Sequence, residues 1–240
     1  MFEEIIEFSA SESYLKTNPI HPILTKTNIP KWFKDLEHHP KEKTIKGCIP
    51  FLETLTAGYI LKLPIDYHFK FNKDNESYYY NNPDSPNFMN KLFNIGTCDN
   101  HPTAQLGDKC PFIQKNKNQD FFKILNPWTI KTPKGYSCLF VPPMNNTNDK
   151  FSIIPGIVDT DTFPGEINFP IIMNGDKYPF IETTIKAGTP YVQIIPFKRT
   201  SWNMKIKKNK DQKTIQKRWY TFEKVFRVYQ NLFWNKKTWK

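Results

Sequence analysis

Ile65-Asp66-Tyr67-His68-Phe69-Lys70-Phe71 alternates without a break, apolar at the odd positions and polar at the even ones. A period of two sends one set of side chains to each face of a strand, so this stretch predicts a half-buried β-strand. Asn72-Lys73-Asp74-Asn75 follows with turn-forming residues. Residues 76–80 are therefore predicted to return as the second strand of a hairpin.

The same signal continues outward. Further strands are predicted at 121–130, 136–141, 151–158, 166–173, 180–185 and 191–196, each bounded by Pro, Gly, Asn or Asp. No helical period intervenes. Short strands at close spacing predict a mainly β fold, a single β-sandwich or a jelly-roll/cupin-like roll, and argue against a parallel α/β sheet. Residues 46–202 form this body. Residues 1–45 read as an irregular N-terminal arm, broken by Asn18-Pro19-Ile20-His21-Pro22 and Asn28-Ile29-Pro30, with Trp32 and Phe33 as its anchors. Residues 203–240 read as a basic linker and an amphipathic helix of roughly 20 residues. Ile215, Trp219, Phe222, Phe226, Tyr229 and Phe233 there recur at spacings of four and three.

Composition agrees with a chain of short, punctuated elements around an aromatic core, since 20 of 240 residues are Pro, 15% are aromatic and only 9 are Gly. The net charge of +11 is unevenly placed: residues 198–240 hold fourteen Lys/Arg against Asp211 and Glu223, which leaves the rest of the chain near neutral. A polyanionic partner would meet that segment. Cys48, Cys98, Cys110 and Cys138 contain no CxxC pair, so reduced thiols are expected rather than a disulfide framework. No apolar run is long enough to span a bilayer, and the first residues are acidic where a signal peptide is basic. Neither a membrane partner nor secretion is expected.

Between Lys46 and Trp202 several strings resemble a known family. Lys46-Gly47-Cys48-Ile49-Pro50-Phe51, Thr56-Ala57-Gly58-Tyr59, Asn126-Pro127-Trp128, Thr132-Pro133-Lys134-Gly135-Tyr136-Ser137 and Pro142-Pro143-Met144-Asn145 come first. Gly156-Ile157-Val158-Asp159-Thr160-Asp161, Asn168-Phe169-Pro170 and the run from Gly188 to Phe197 follow. Together they resemble an uncharacterised domain family of marine tailed phages with bacterial relatives. The resemblance implies a phage or viral source, with the protein in the host cytoplasm or the virion. That family has no assigned activity, so it transfers no catalytic role.

Three groups of residues could carry chemistry. Cys98 and His101, separated by two residues on an expected loop, with Cys110 offer ligands for zinc or iron, although a closed site needs a fourth. Asp159 and Asp161 on an extended segment point to one face and could share a metal or a proton, with Glu166 nearby. If the family segments form a pocket, the Asp159–Asp161 turn should approach Thr132 and Tyr136, with Gln193 as a further candidate. The third group is basic and aromatic: Lys205, Lys207, Lys208, Lys217, Arg218 and Trp239 suit single-stranded nucleic acid, where bases stack and phosphates are neutralised. The competing reading is a helix docked on the body with its Trp residues buried.

No nucleophile elbow, P-loop, dinucleotide fingerprint or metalloprotease helix is present. The predicted strands hold only His68, too few for the histidine set of a cupin metal site. The sequence thus favours a non-enzymatic binding or assembly module whose partner is a protein or a second copy. A cupin-like metal-dependent enzyme and nucleic-acid binding through residues 203–240 are the alternatives. No cofactor is expected, a divalent metal being the alternative.

Overall fold

The computed structural model describes residues 4–39, 44–72, 78–81, 98–101, 103–105, 107, 109–111, 121–146, 148–208, 212–224 and 227–240. The first half of the chain supplies β1 (Glu7–Ser9), α1 (Glu12–Thr17), β2 (Ile23–Leu24), α2 (Lys31–Asp35), α3 (Ile49–Thr54), β3 (Tyr59–Lys62), β4 (Tyr67–Asn72), β5 (Tyr78–Asn81) and β6 (Cys98–His101). The second half adds β7 (Phe121–Ile124), β8 (Thr129–Lys131), β9 (Tyr136–Val141), β10 (Phe151–Ile153), β11 (Gly156–Val158), β12 (Phe169–Met173), β13 (Phe180–Ile185), β14 (Pro190–Lys198) and α4 (Gln212–Lys224).

The fold is mainly β, and its pairings are antiparallel. The largest sheet runs β11-β9-β14-β3-β2; others run β10-β12-β7-β6, β13-β4-β5 and β1-β8, and none of them closes into a barrel. One buried cluster draws on all four sheets, with Ile130 from β8, Leu61 and Tyr191 from the five-stranded sheet, Phe169 and Ile171 from the four-stranded one and Phe69 from the three-stranded one. Rings meet between sheets: Phe140 lies 5.4 Å from Phe169, which meets Tyr191 edge-on at 5.7 Å, and Phe69 stacks on Phe151 at 6.5 Å. Such contacts fix the relative position of sheets that share no backbone hydrogen bonds.

The alternation at 65–71 is realised in β4, the middle strand of its sheet. Tyr67 and Phe69 are almost completely buried, while His68 and Lys70 face Glu182 of β13. Lys70 is not a bystander: it pairs in register with Glu182, and its ammonium lies 3.2 Å from the carboxylate. Lys70→Glu therefore places like charges opposite each other and should lower Tm by roughly 1–3 °C, an effect that added salt reduces. Melting curves in low and high salt check this. The turn predicted at 72–75 lies mostly outside the described residues, although β5 does pair with β4.

Several boundaries differ from the sequence reading, each for a visible reason. Residues 121–130 form two strands in different sheets, β7 and β8, because Pro127 lacks an amide proton and Asn126 builds a corner. The Asn126 amide donates to the Asn168 side-chain oxygen and its own side chain donates to the Trp128 carbonyl. Residues 151–158 likewise divide at Pro155 into β10 and β11, again in separate sheets. Residue 166 precedes β12 and makes only an isolated bridge to Thr129.

The arm is more ordered than expected. Its β1 pairs with β8, and its β2 forms the edge of the five-stranded sheet. Trp32 and Phe33 do anchor it, Phe33 stacking on Phe51 at 5.7 Å while the Lys46 ammonium binds the Phe33 and Lys34 carbonyls. Gly58 cannot be replaced, since it has φ +71° and an added Cβ would stand 1.9 Å from the Ile194 carbonyl oxygen.

Residues 215–233 do not form one continuous helix. Helix α4 covers Gln212–Lys224, Arg227 has φ +56°, and a single π-helical turn spans Tyr229–Phe233. A left-handed residue interrupts the helical path, so the four-and-three spacing is no single stripe. Phe226 lies outside the described residues. Among the described residues, no helix is long and apolar enough to cross a membrane.

Candidate functional site

The turn after β11 does approach Thr132 and Tyr136. Thr160 points inward and is fully buried, its hydroxyl 2.7 Å from that of Thr132 and 3.3 Å from the Cys138 sulfur. Asp159 and Asp161, on either side of it, both turn to Arg199. The Arg199 guanidinium makes a forked contact with Asp161, at 2.8 and 2.5 Å, and reaches Asp159 Oδ1 at 3.2 Å. Asp161 also accepts the Gly135 amide at 2.8 Å, and Asp159 accepts the Ser137 hydroxyl at 2.6 Å. Gly135 has φ +88°, the left-handed turn that aims this amide at the carboxylate. Arg199 further donates its amide to the Gly135 carbonyl and a guanidinium N–H to the Tyr136 carbonyl.

The two carboxylates thus lie on one face, as their spacing predicts, but they share an arginine. The Arg199 guanidinium, with the Gly135 amide, pulls the Asp161 carboxyl down to about 2. A carboxylate so thoroughly donated to has little left for a cation or for proton transfer. The cluster is a clamp joining the β8–β9 turn, the β11 end and the residue after β14. Glu166 is exposed and is not among the partners of either aspartate.

A pH dependence follows. A carboxyl whose folded pKa is depressed stabilises the fold fully above its ordinary value of 3.8, and that stabilisation is lost as pH falls toward 2. The Tm difference between wild type and Asp161→Asn should therefore be constant from neutral pH down to about 4 and shrink below it. Thermal melts across that range check the sign.

Gln193 belongs elsewhere. Buried on β14, it donates to the Thr54 and Ala57 carbonyls and accepts the Met144 amide at 2.9 Å. It staples the end of α3 to the Pro142–Asn145 turn. Cys98–His101 is strand β6, paired residue for residue with β7 rather than a loop, and its side chains lie outside the described ones. Cys110 is partly buried. Cys138 is inert, burial pushing its thiol up to about 11. Among the described residues, no three His, Cys, Asp or Glu side chains gather as a metal site would need. His38 and His39 are exposed.

The basic segment divides into two parts. Lys205, Lys207, Lys208, Lys217 and Arg218 are exposed, and so are Trp202, at 88%, Trp219, at 66%, and Tyr220, at 63%. The helix-docking alternative required Trp219 to be buried. Trp239 behaves differently: it packs edge-on against Tyr59 at 6.3 Å, and its carbonyl accepts the Lys26 ammonium at 2.7 Å. Nearby, Glu53 accepts the Trp234 indole N–H at 2.9 Å and the Lys237 ammonium at 2.8 Å. Burial raises the Glu53 pKa, but these two donors outweigh it and hold the group below the ordinary carboxylate value. A cavity of about 420 Å³ lies between this stretch and the body, lined by Tyr59, Thr132, Tyr136 and Trp239 among others.

Arg199, Ser137 and Glu53 were not legible as site residues. Each acts through partners far away in sequence, and none carries a spacing signature. No protein-family model matches the chain, and no curated protein matches it in sequence.

Proposed function

We propose that this chain is a non-enzymatic binding module, a β-sandwich encoded by a phage or virus, that holds single-stranded nucleic acid along residues 202–224. The observation that carries this reading is the exposure of Trp202, Trp219 and Tyr220 beside Lys205, Lys207, Lys208, Lys217 and Arg218. Exposed rings cost free energy in water unless a partner covers them, and rings flanked by cations suit stacked bases with neutralised phosphates. Outside residues 198–240 the chain is close to neutral in net charge, so the excess of cations lies in this segment. A sandwich is supported by the ring contacts between sheets and by the single shared core. The host cytoplasm and the virion both offer such a partner.

A protein partner, or a second copy, is the second reading. It is favoured by Met204 and Ile206, at 89% and 87% exposure, whose aliphatic surface nucleic acid would not need. A cupin-like metal-dependent enzyme draws less support, because Arg199 already occupies the paired carboxylates. Fluorescence anisotropy with labelled single-stranded and duplex oligonucleotides separates the readings: preference for the single strand supports stacking, and equal weak binding to both removes it.

A further inference from the structure

The stretch from Trp234 to Lys240 leaves the π-helical turn and lies against the body without regular secondary structure. Its described contacts with the body are specific and come from α3, β3 and the turn after β2. Glu53 takes both Trp234 and Lys237, Tyr59 meets the Trp239 ring and donates its hydroxyl to the Lys240 carbonyl at 3.1 Å, and Lys26 binds the Trp239 carbonyl. We propose that residues 234–240 are an exchangeable strap, and that the surface of Glu53 and Tyr59 that holds them within one chain takes the same segment from a second copy.

Three observations point to this occupant. The surface is already shaped and charged for this segment, with Glu53 opposite Lys237, and every copy carries both halves, so exchange conserves each contact. The contacts are partly exposed, the Lys237 and Glu53 side chains being 54% and 24% accessible, and pairs of this kind open easily. Residues 200–208 have no helix or strand and can reach roughly 30 Å when extended, far enough to carry the strap to a neighbour. The proposal does not rest on nucleic-acid binding, although its linker, residues 200–208, includes Trp202, Lys205, Lys207 and Lys208 of that surface.

Within one chain the strap competes at an effective concentration of about 1 mM, so wild-type protein should be monomeric well below that value. The test removes this competition with two full-length variants. Glu53→Lys spoils the receiving surface but keeps the strap; Lys237→Glu combined with Trp239→Ala spoils the strap but keeps the surface. Each alone should sediment as a monomer, and an equimolar mixture at roughly 100 μM should form a one-to-one heterodimer. A mixture that stays monomeric overturns the proposal. So do dimers of Glu53→Lys alone, since that copy has no working surface. Melting curves establish that both variants fold, and Glu53→Ala, which removes the acceptor for Trp234 and Lys237 without adding a charge, replaces Glu53→Lys if the latter does not.

Discussion

Aspartate in place of Phe69 is expected to leave the chain unfolded at room temperature. The ring is 1% exposed, on the middle strand of its sheet, and packs against Tyr67 and Phe151. Deleting a buried Phe side chain costs about 3–5 kcal/mol through lost transfer energy and the cavity left behind. Placing an unpaired carboxylate there adds several kcal/mol more. Against a total stability of roughly 5–15 kcal/mol, the sum removes most or all of the fold. Phe69→Leu should instead melt cooperatively at a reduced temperature. Circular dichroism and thermal melts check both, and a Tm for the aspartate variant equal to that of Lys70→Glu would refute the assignment of faces in β4.

This strand was legible because alternation is a local property and burial on one side enforces it. The split of 121–130 was also written locally, in Asn126-Pro127, but a run of apolar residues on both sides hid the corner. Pro155 played the same part in 151–158. The N-terminal arm was not legible. Its strands β1 and β2 are three and two residues long and pair with partners dozens to more than a hundred positions away, so no period could form. At the clamp, the spacing of Asp159 and Asp161 gave their common face correctly. What it could not give was Arg199, which converts a candidate cation site into an ion pair. Trp239 shows the reverse: its basic surroundings in sequence group it with the nucleic-acid candidates, and Tyr59 takes it instead.

The second large effect concerns residues 202–224. Trp202→Ala and Trp219→Ala should each weaken single-strand binding about fivefold or more, because stacking is worth about 1–3 kcal/mol per base. Neither should move Tm much, since both rings are already in water. A chain ending at Arg199 keeps the clamp, so it should stay folded and lose binding altogether. It should melt somewhat lower, having lost the Tyr59–Trp239 contact and the Glu53 ion pair. Anisotropy titrations and melting curves on the same preparations separate binding from folding.

The most direct test is the salt dependence of single-strand affinity, measured for wild type, for a variant with Lys205, Lys207 and Lys208 changed to Gln, and for Trp202→Ala. Each phosphate neutralised contributes about −0.7 to the slope of log affinity against log salt. The account predicts a steep slope for wild type, one shallower by about 2 for the lysine variant, and for Trp202→Ala a line displaced to weaker binding with its slope unchanged. Absence of binding at about 50 mM salt, or a slope that the lysine changes leave untouched, would contradict it and return residues 202–224 to a protein partner.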